Sequence, residues 1–449
     1  MTRLPLEGIR IIDSTYVIAM PYACGILADL GAEVIKVEGP SHVDNTRSGM
    51  QGAYADNDAG NEWWNRASTY NMLHRGKRSL TLDLSRDEGR DVFKELIAVS
   101  DVLVENYTPR VMRRWGLDYP NLKKIKPDII MVSNTGYGHG EGPYSSYPAM
   151  ATSLEGTHGQ VSITGYPGEL PSKAGQSYVD FLASWVALLG IGMALHHRNR
   201  TGNGQWMDLG MYQVGSQGVG EYVMDWIANG RLPERIGDRH PWCAPQGCYP
   251  CSGDDQWCVI SVGDEEEWAA LCGVMGKPEL ASEPRFVTAS GRMEHHTEID
   301  EMVRRWTVGA SKWDVMERLQ GAGVPAGPVN DARDSNLSPH YWERGFLEKI
   351  VFPPDRKMGT RVVIGRPWQL DKTPITARGP APRLGEDNES VLGYLLGLDE
   401  SELEELEESG VVSEVPINAR APEVVGLQDQ VDRGRLAYFD PDYKAKLGI

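Results

Sequence analysis

The sequence predicts an α/β fold in which a parallel sheet carries helices on both faces. Short apolar runs rich in β-branched residues recur near positions 8–13, 33–38, 79–84, 101–106 and 128–134. Segments with helical spacing separate them, long enough for the crossovers that parallel strands need. The length adds a third observation, since 449 residues exceed a usual single domain and provide for two with a sizeable core.

In order, GIRIID (8–13) and EVIKVE (33–38) bracket PYACGILADLGA, a strand–helix–strand unit. SLTLDL (79–84), a helix from Arg86 to Val99 and DVLVEN (101–106) make the next unit, and DIIMVSN (128–134) adds a strand. Ligands of such sheets bind beyond the strands' C-terminal ends, here the loops after Asp13, Glu38, Asn106 and Asn134. Lys77 and Arg78 precede a strand, and Arg110, Arg113 and Arg114 follow VENY. These cations suit a phosphate-bearing ligand, or equally a solvated surface. GYGHGEGP (136–143) lacks the lysine and spacing of a phosphate loop and reads as a flexible or close-approach segment. Residues 40–72, with Trp63 and Trp64, read as a long loop of the kind that is often functional.

The stretch from Lys173 to Asp208 places Asp180 before an apolar run from Phe181 to Leu195. His196, His197, Arg198 and Arg200 close that run as last-turn cations, and Gly202 and Gly204 end the helix. Asp180 is therefore expected at or just before a helix N-terminus, as an N-cap or as a reactive carboxylate. A helical pattern continues from Asp208 to about Asn229. The reading divides the chain into 1–225, a smaller α+β domain at 226–328 with alternation across Trp257, Val259 and Ser261, and a returning segment at 329–449. That return holds a proline-rich stretch at 374–382, a helix at 388–397, the acidic run 401–409 and a tail after 413 without strong periodicity.

Composition narrows the function. Hydrophobic residues make up 41% and charged residues 24%, ordinary for a globular enzyme. Lys plus Arg is 45 against 63 for Asp plus Glu, a net charge of -18, which argues against nucleic acid or an anionic membrane as main partner. No apolar run is read as reaching transmembrane length and no signal-peptide layout is read, so a cytoplasmic protein is expected. Four of the six cysteines fall between 243 and 258, including Cys248-x-x-Cys251. Without a second paired motif they read as free thiols rather than a metal site.

Several blocks together resemble class III CoA-transferases, the formyl-CoA and carnitine CoA-transferase family. They are LEGIRIIDSTYVIAMPYACGILADLGAEVIKVEGP, GKRSLTLDL, DVLVENYTPRVMRRWGLDY, KPDIIMVSNTGYG, ALHHRNRTGNGQWMDL, GVPAGPVND and RPWQL through PRLGEDNESVLGYLLGL, spanning about residues 4–410. The resemblance implies a Rossmann-like large domain built from both termini, a smaller middle domain, and open-ring chains interlocked in a dimer. It implies acyl-CoA and a carboxylic acid as substrates, with no permanently bound cofactor and no metal. The family's catalytic carboxylate falls on Asp180 through GQSYVD, and its CoA-binding positions on Lys77, Arg78, Asn106 and Arg114. CoA carries roughly four negative charges, so a chain this acidic needs local cations to hold it.

Two departures stand out. The family's glycine loop in the small domain corresponds to RHPWCAPQGC, with Gly247 alone. The His–Asp pair of the acyl-CoA racemase branch is replaced by Met150 and Ala151, which disfavours a racemase. Glu155 nearby reads as a pocket acid or as a plain surface glutamate. A largely non-catalytic subunit of a heteromeric CoA-transferase, like that of benzylsuccinate CoA-transferase, is the alternative reading. Thirteen Trp against six Phe hint at an aromatic or bulky acid, or at core packing.

Overall fold

The structure is a computed structural model that describes residues 3–48, 53–175, 177–417 and 420–449. The chain divides into two compact units, one of 1–160, 175–221 and 337–449, the other of 161–174 and 222–336. The second unit thus begins and ends within a few residues of the expected 226 and 328 on one side and eight beyond on the other. It also takes a short segment that the sequence does not mark off.

The first unit runs β1 (Arg10–Ser14), α1 (Ala19–Asp29), β2 (Glu33–Glu38), β3 (Arg78–Thr81), α2 (Asp87–Ala98), β4 (Val102–Glu105) and α3 (Pro109–Arg114). It continues through β5 (Ile130–Thr135), α4 (Ala151–Thr157), α5 (Tyr178–Thr201), β6 (Trp206–Gly210) and α6 (Met211–Gln217). These six strands form one parallel sheet of order β3-β2-β1-β4-β5-β6. This is the doubly wound order, whose direction of growth reverses between β1 and β4. Both faces are covered, so the strands alternate between two cores rather than between core and water. Ile11, Val34, Val102, Val104 and Ile130 pack with α1 and α5. Ile12, Ile35, Leu103 and Met131 pack with Phe93, Leu96 and Ile97 of α2.

The returning segment completes the second face, through Val391, Leu392, Leu406, Val411 and Val412. It also covers the sheet's β3 edge: Asp387 accepts the Ser79 N–H and Asn388 the Thr81 N–H, each at 2.9 Å. Side-chain acceptors there occupy donors that an open edge would offer to another chain. The tail after 413, expected to lack periodicity, carries short helices at Leu427–Asp432 and Tyr443–Leu447. Tyr443 and Lys444 fasten it to Asp56 at 2.8 and 2.6 Å.

Two expectations are corrected. WMDLG forms strand β6, where the sequence reads only a helical continuation from Asp208. It is an edge strand with its first residues in water, so no unbroken apolar run marks it. Helix α5 has 24 residues, and an 18-residue stretch of it, with mean hydropathy 1.7, is long and apolar enough by composition to cross a membrane. Its Val179, Ala183, Ala187, Ile191 and Ala194, spaced three or four apart, lie in the core against α1. Gly202, in the left-handed region at φ 74°, ends this helix as expected.

The second unit pairs β7 (Gln246–Pro250), β8 (Trp257–Ser261) and β9 (Ala326–Pro328) in an antiparallel sheet. Helices α7 (Glu265–Val274), α8 (His296–Thr307) and α9 (Lys312–Gly321) cover it, with Trp268, Leu271, Phe286, Ile299 and Val315 in the core. Gly247 lies inside β7, opposite Ile260, and not in a loop. The cysteines are unpaired, and burial pushes the Cys272 thiol up to about 12, leaving a small apolar side chain. Among the described residues no group of three or more His, Cys, Asp or Glu side chains converges as metal ligands would.

Candidate active site

A cavity of about 1020 Å³ opens at the C-terminal end of the sheet in the first unit. The loops after β1 through β5 line it, with residues 16–19, 38, 39, 41–43, 82–85, 106–109 and 134–136. Parallel strands direct their C-terminal loops to one side, and the reversal between β1 and β4 leaves a crevice there.

Asn106 spans that crevice. Its Oδ1 accepts the Tyr16 N–H at 2.9 Å and its Nδ2 donates to the Tyr16 carbonyl at 2.8 Å. One amide thereby joins the β1 and β4 loops as a further pair of strand bonds would. Next to it Val17 has φ 74°, a costly conformation for a β-branched residue. Its N–H faces both carboxylate oxygens of buried Asp44 at 3.3 Å.

Asp180 lies on the cavity wall in the first turn of α5, two residues inside the expected position, because the helix begins at Tyr178. The N-cap is Ser177, itself left-handed at φ 53°, and its side chain makes no cap bond. Within the motif that points to Asp180, Gln176 lies outside the described residues. Ser184 Oγ sits 2.8 Å from the Asp180 carbonyl and 2.5 Å from that of Ala19, tying this turn to the start of α1. Burial, then the charge of Glu155, push the Asp180 carboxyl up to about 6, against a hydrogen bond from Ser177.

Arg114, at the end of α3, also lines the cavity; it is exposed and paired with no carboxylate among the described residues. Lys77 and Arg78 are placed elsewhere. Lys77 is buried, with Nζ 2.6 Å from Asp13, 2.8 Å from the Pro21 carbonyl and 3.1 Å from His74 Nδ1. Burial, then the charges of Lys77 and Lys36, hold the His74 ring well below its usual range, so it accepts from Lys77 as a neutral imidazole. Arg78 begins β3, at the sheet's other end, and pairs with Glu33, Asp387 and the Ser390 hydroxyl. Neither lines the cavity.

Met150 and Ala151 both reach the cavity at the start of α4. Glu155, in contrast to a surface glutamate, is fully buried and accepts the Tyr178 N–H at 2.9 Å. The sequence reading also misses His158, one turn further along and buried. Their spacing of three residues puts both on one face of α4, and nothing local marks that face as the inner one.

The family model of CoA-transferase family III matches residues 6–388. The chain is 33% identical over 408 residues to succinyl-CoA–D-citramalate CoA-transferase of Chloroflexus aurantiacus, covering 91% of this chain and 98% of that one. It is 34% identical over 414 residues to the succinyl-CoA–L-malate CoA-transferase beta subunit of the same organism, covering 92% and 99%. The crystal structure of a CAIB/BAIF family protein from Brucella suis matches with TM-score 0.78 at 30% identity, covering 88% of this chain and all of that one. By sequence across most of its length, and by the fold that carries the cavity, this chain belongs to CoA-transferase family III.

Proposed function

We propose that the chain moves CoA from an acyl-CoA to a free carboxylic acid, with Asp180 as nucleophile. The observation that carries this is a partly desolvated carboxylate on the cavity wall, pushed up to about 6, with no cation against it among the described residues. Such a group is ionised at neutral pH yet more basic than a solvated aspartate, which favours attack on a carbonyl.

In the first step an Asp180 carboxylate oxygen bonds to the thioester carbonyl carbon. The C–S bond breaks, giving CoA thiolate and a mixed anhydride. The thiolate then attacks the aspartyl carbonyl, releasing the donor acid and leaving an aspartyl-CoA thioester. The acceptor carboxylate attacks that thioester, and the freed thiolate attacks the acceptor's acyl carbon, restoring Asp180. One thioester is made for each consumed, so no ATP is needed. Asp180 stands in the first turn of α5, so the positive end of the helix dipole is available to an oxygen that gains charge there.

Asn106 fixes the crevice and Arg114 takes a phosphate of CoA in this reading, whereas Lys77 and Arg78 serve the fold. Interlocked pairs of chains in the cytoplasm remain part of the proposal, and the unpaired thiols suit that reducing compartment. The likeness to a beta subunit supports a second reading, a chain that works with a homologous partner. Expression alone separates the two: a dimer with turnover removes the partner, and activity only on co-expression supports it. Met150 and Ala151 at the cavity supply no base for racemisation.

Acyl-CoA with hydroxylamine is expected to yield a hydroxamate at Asp180. Asp180→Ala is expected to lower transfer by about a thousandfold or more. Full activity in that variant overturns the assignment.

A further inference from the structure

Glu155 and His158 carry polar atoms that the fold buries without partners. Glu155 Oε2 and both ring nitrogens of His158 find no hydrogen bond among the described residues. The molecule makes room for this arrangement, since a Cβ on Gly215 of α6 would come within 2.2 Å of the His158 ring. Burial holds the His158 ring below its usual range, so it is neutral and offers Glu155 no counter-charge. Groups buried in this way call for a functional account. Neither residue lines the cavity, so any role runs through a neighbour.

That neighbour is the first turn of α5. Ser177 would ordinarily cap the helix with its hydroxyl but does not, and Glu155 Oε1 takes a first-turn N–H instead, that of Tyr178. A carboxylate on α4 thus holds the left-handed turn from which Asp180 projects. We propose that Glu155 is a positioning residue of the transfer site, which aims Asp180 into the cavity and sets the charge environment in which it works. The proposal rests on Asp180 being the nucleophile.

Other elements leave Glu155 in charge of that environment. Among the elements packed on the start of α5, α1 offers Ala19, β5 Asn134 and α6 Met211, none titratable, and the β6 carboxylate Asp208 is tied to His139 at 3.0 Å. The charged groups that line the rest of the cavity stand on its other loops: Glu38 is paired with Arg47, Asp83 accepts from Ser41 and Ser85, and Arg114 and His42 follow β4 and β2, so the charge that bears on Asp180 is that of Glu155. On α4 the charged group is Glu155 itself. A negative charge held in a dry site disfavours a second one beside it, which makes the Asp180 carboxylate more basic and a stronger nucleophile. The α5 dipole acts in the opposite sense, so the two together tune the group.

The test is the pH dependence of kcat/KM for CoA transfer in Glu155→Gln, Glu155→Asp and Glu155→Ala beside Asp180→Ala. Glu155→Gln keeps an acceptor for the Tyr178 N–H and removes the charge. Its acid limb is expected to move toward lower pH by about one pH unit, with kcat severalfold lower on the plateau. Glu155→Asp, which keeps the charge, is expected to retain the wild-type limb. Glu155→Ala is expected to lose about tenfold or more in kcat with KM for acyl-CoA nearly unchanged. Should the alanine variant fail to fold, the Gln and Asp profiles decide alone. Superimposable profiles for wild type, Gln and Asp overturn the role of Glu155 while an inactive Asp180→Ala leaves the transfer reading standing. An active Asp180→Ala overturns the transfer reading and this proposal with it.

Discussion

Beneath the β1 and β2 loops, Asp13, Asp44 and Glu38 are buried, and each has a cation against it. Lys77 lies 2.6 Å from Asp13, Lys36 3.4 Å from Asp44 and Arg47 2.6 Å from Glu38. At the start of α5, Glu155 is just as buried and Asp180 partly so, yet among the described residues neither has a cation. The first set is neutral within itself, and its charge is used up in holding loops together. The second keeps its charge unneutralised, with Asp180 on the cavity wall. Within one unit, burial alone does not tell the two sets apart; the presence of a counter-ion does.

Removing one partner from the matched set breaks the comparison most severely. Lys77→Ala leaves Asp13 buried and unpaired, which is expected to cost about 3–5 kcal/mol in urea unfolding. The fraction that folds should keep its KM for acyl-CoA. A raised KM with unchanged stability would instead put Lys77 at the ligand. Asp13→Leu combined with Lys77→Met should recover most of the loss, as replacement of a buried pair often does.

Arg114 sharpens the other side, as a cation at the cavity that no carboxylate holds among the described residues. Arg114→Ala is expected to raise KM for acyl-CoA by about tenfold to a hundredfold, or ~1.5–3 kcal/mol, with kcat changed less. The difference should shrink in high salt, since the side chain is exposed. Calorimetry showing wild-type CoA affinity would make it an ordinary surface charge.

A gentler effect concerns stability against pH. The Asp180 carboxyl is raised in the folded state to about 6, from 3.8. Between these values the folded protein holds a proton that the unfolded chain has released. This group's contribution is therefore greatest at acid pH and declines as pH rises through the window. Asp180→Asn should remove that decline, seen as a flatter Tm between pH 4 and 6 relative to wild type and a higher Tm at pH 7. An equal slope in both proteins would place Asp180 among the matched carboxylates. The smallest change is expected for Arg78→Ala. Its side chain is 28% exposed and pairs at the sheet's rim, so about 1 kcal/mol or less is anticipated with KM untouched.

Five strands were legible because buried parallel strands read as unbroken apolar runs, and their order in the chain already placed the cavity loops. The sixth was not, since WMDLG at an open edge alternates with water and follows directly on a helix end. The position of Asp180 at the start of an apolar helix was legible in the run that follows it. The partner of Lys77 was not legible for a definite reason: GKR looks the same whether the lysine meets a phosphate or Asp13, and only the fold brings residues 13 and 77 together. Glu155 was undecidable for the same reason, as one glutamate on a short helix whose inner face depends on α5 and α6.

The edge of β3 is sealed by acceptors that the ribosome supplies late. Thr81 and Asn388 are 307 residues apart. At bacterial-type elongation rates of about 5–20 residues per second, roughly 15–60 s separate the emergence of the strand from that of its cover. Throughout that interval the nascent sheet presents a free border to any neighbouring chain. A synthesis that stalls or terminates before residue 388 leaves the border open for good, so truncated products of this gene are expected to be found in aggregates rather than as a shorter soluble enzyme.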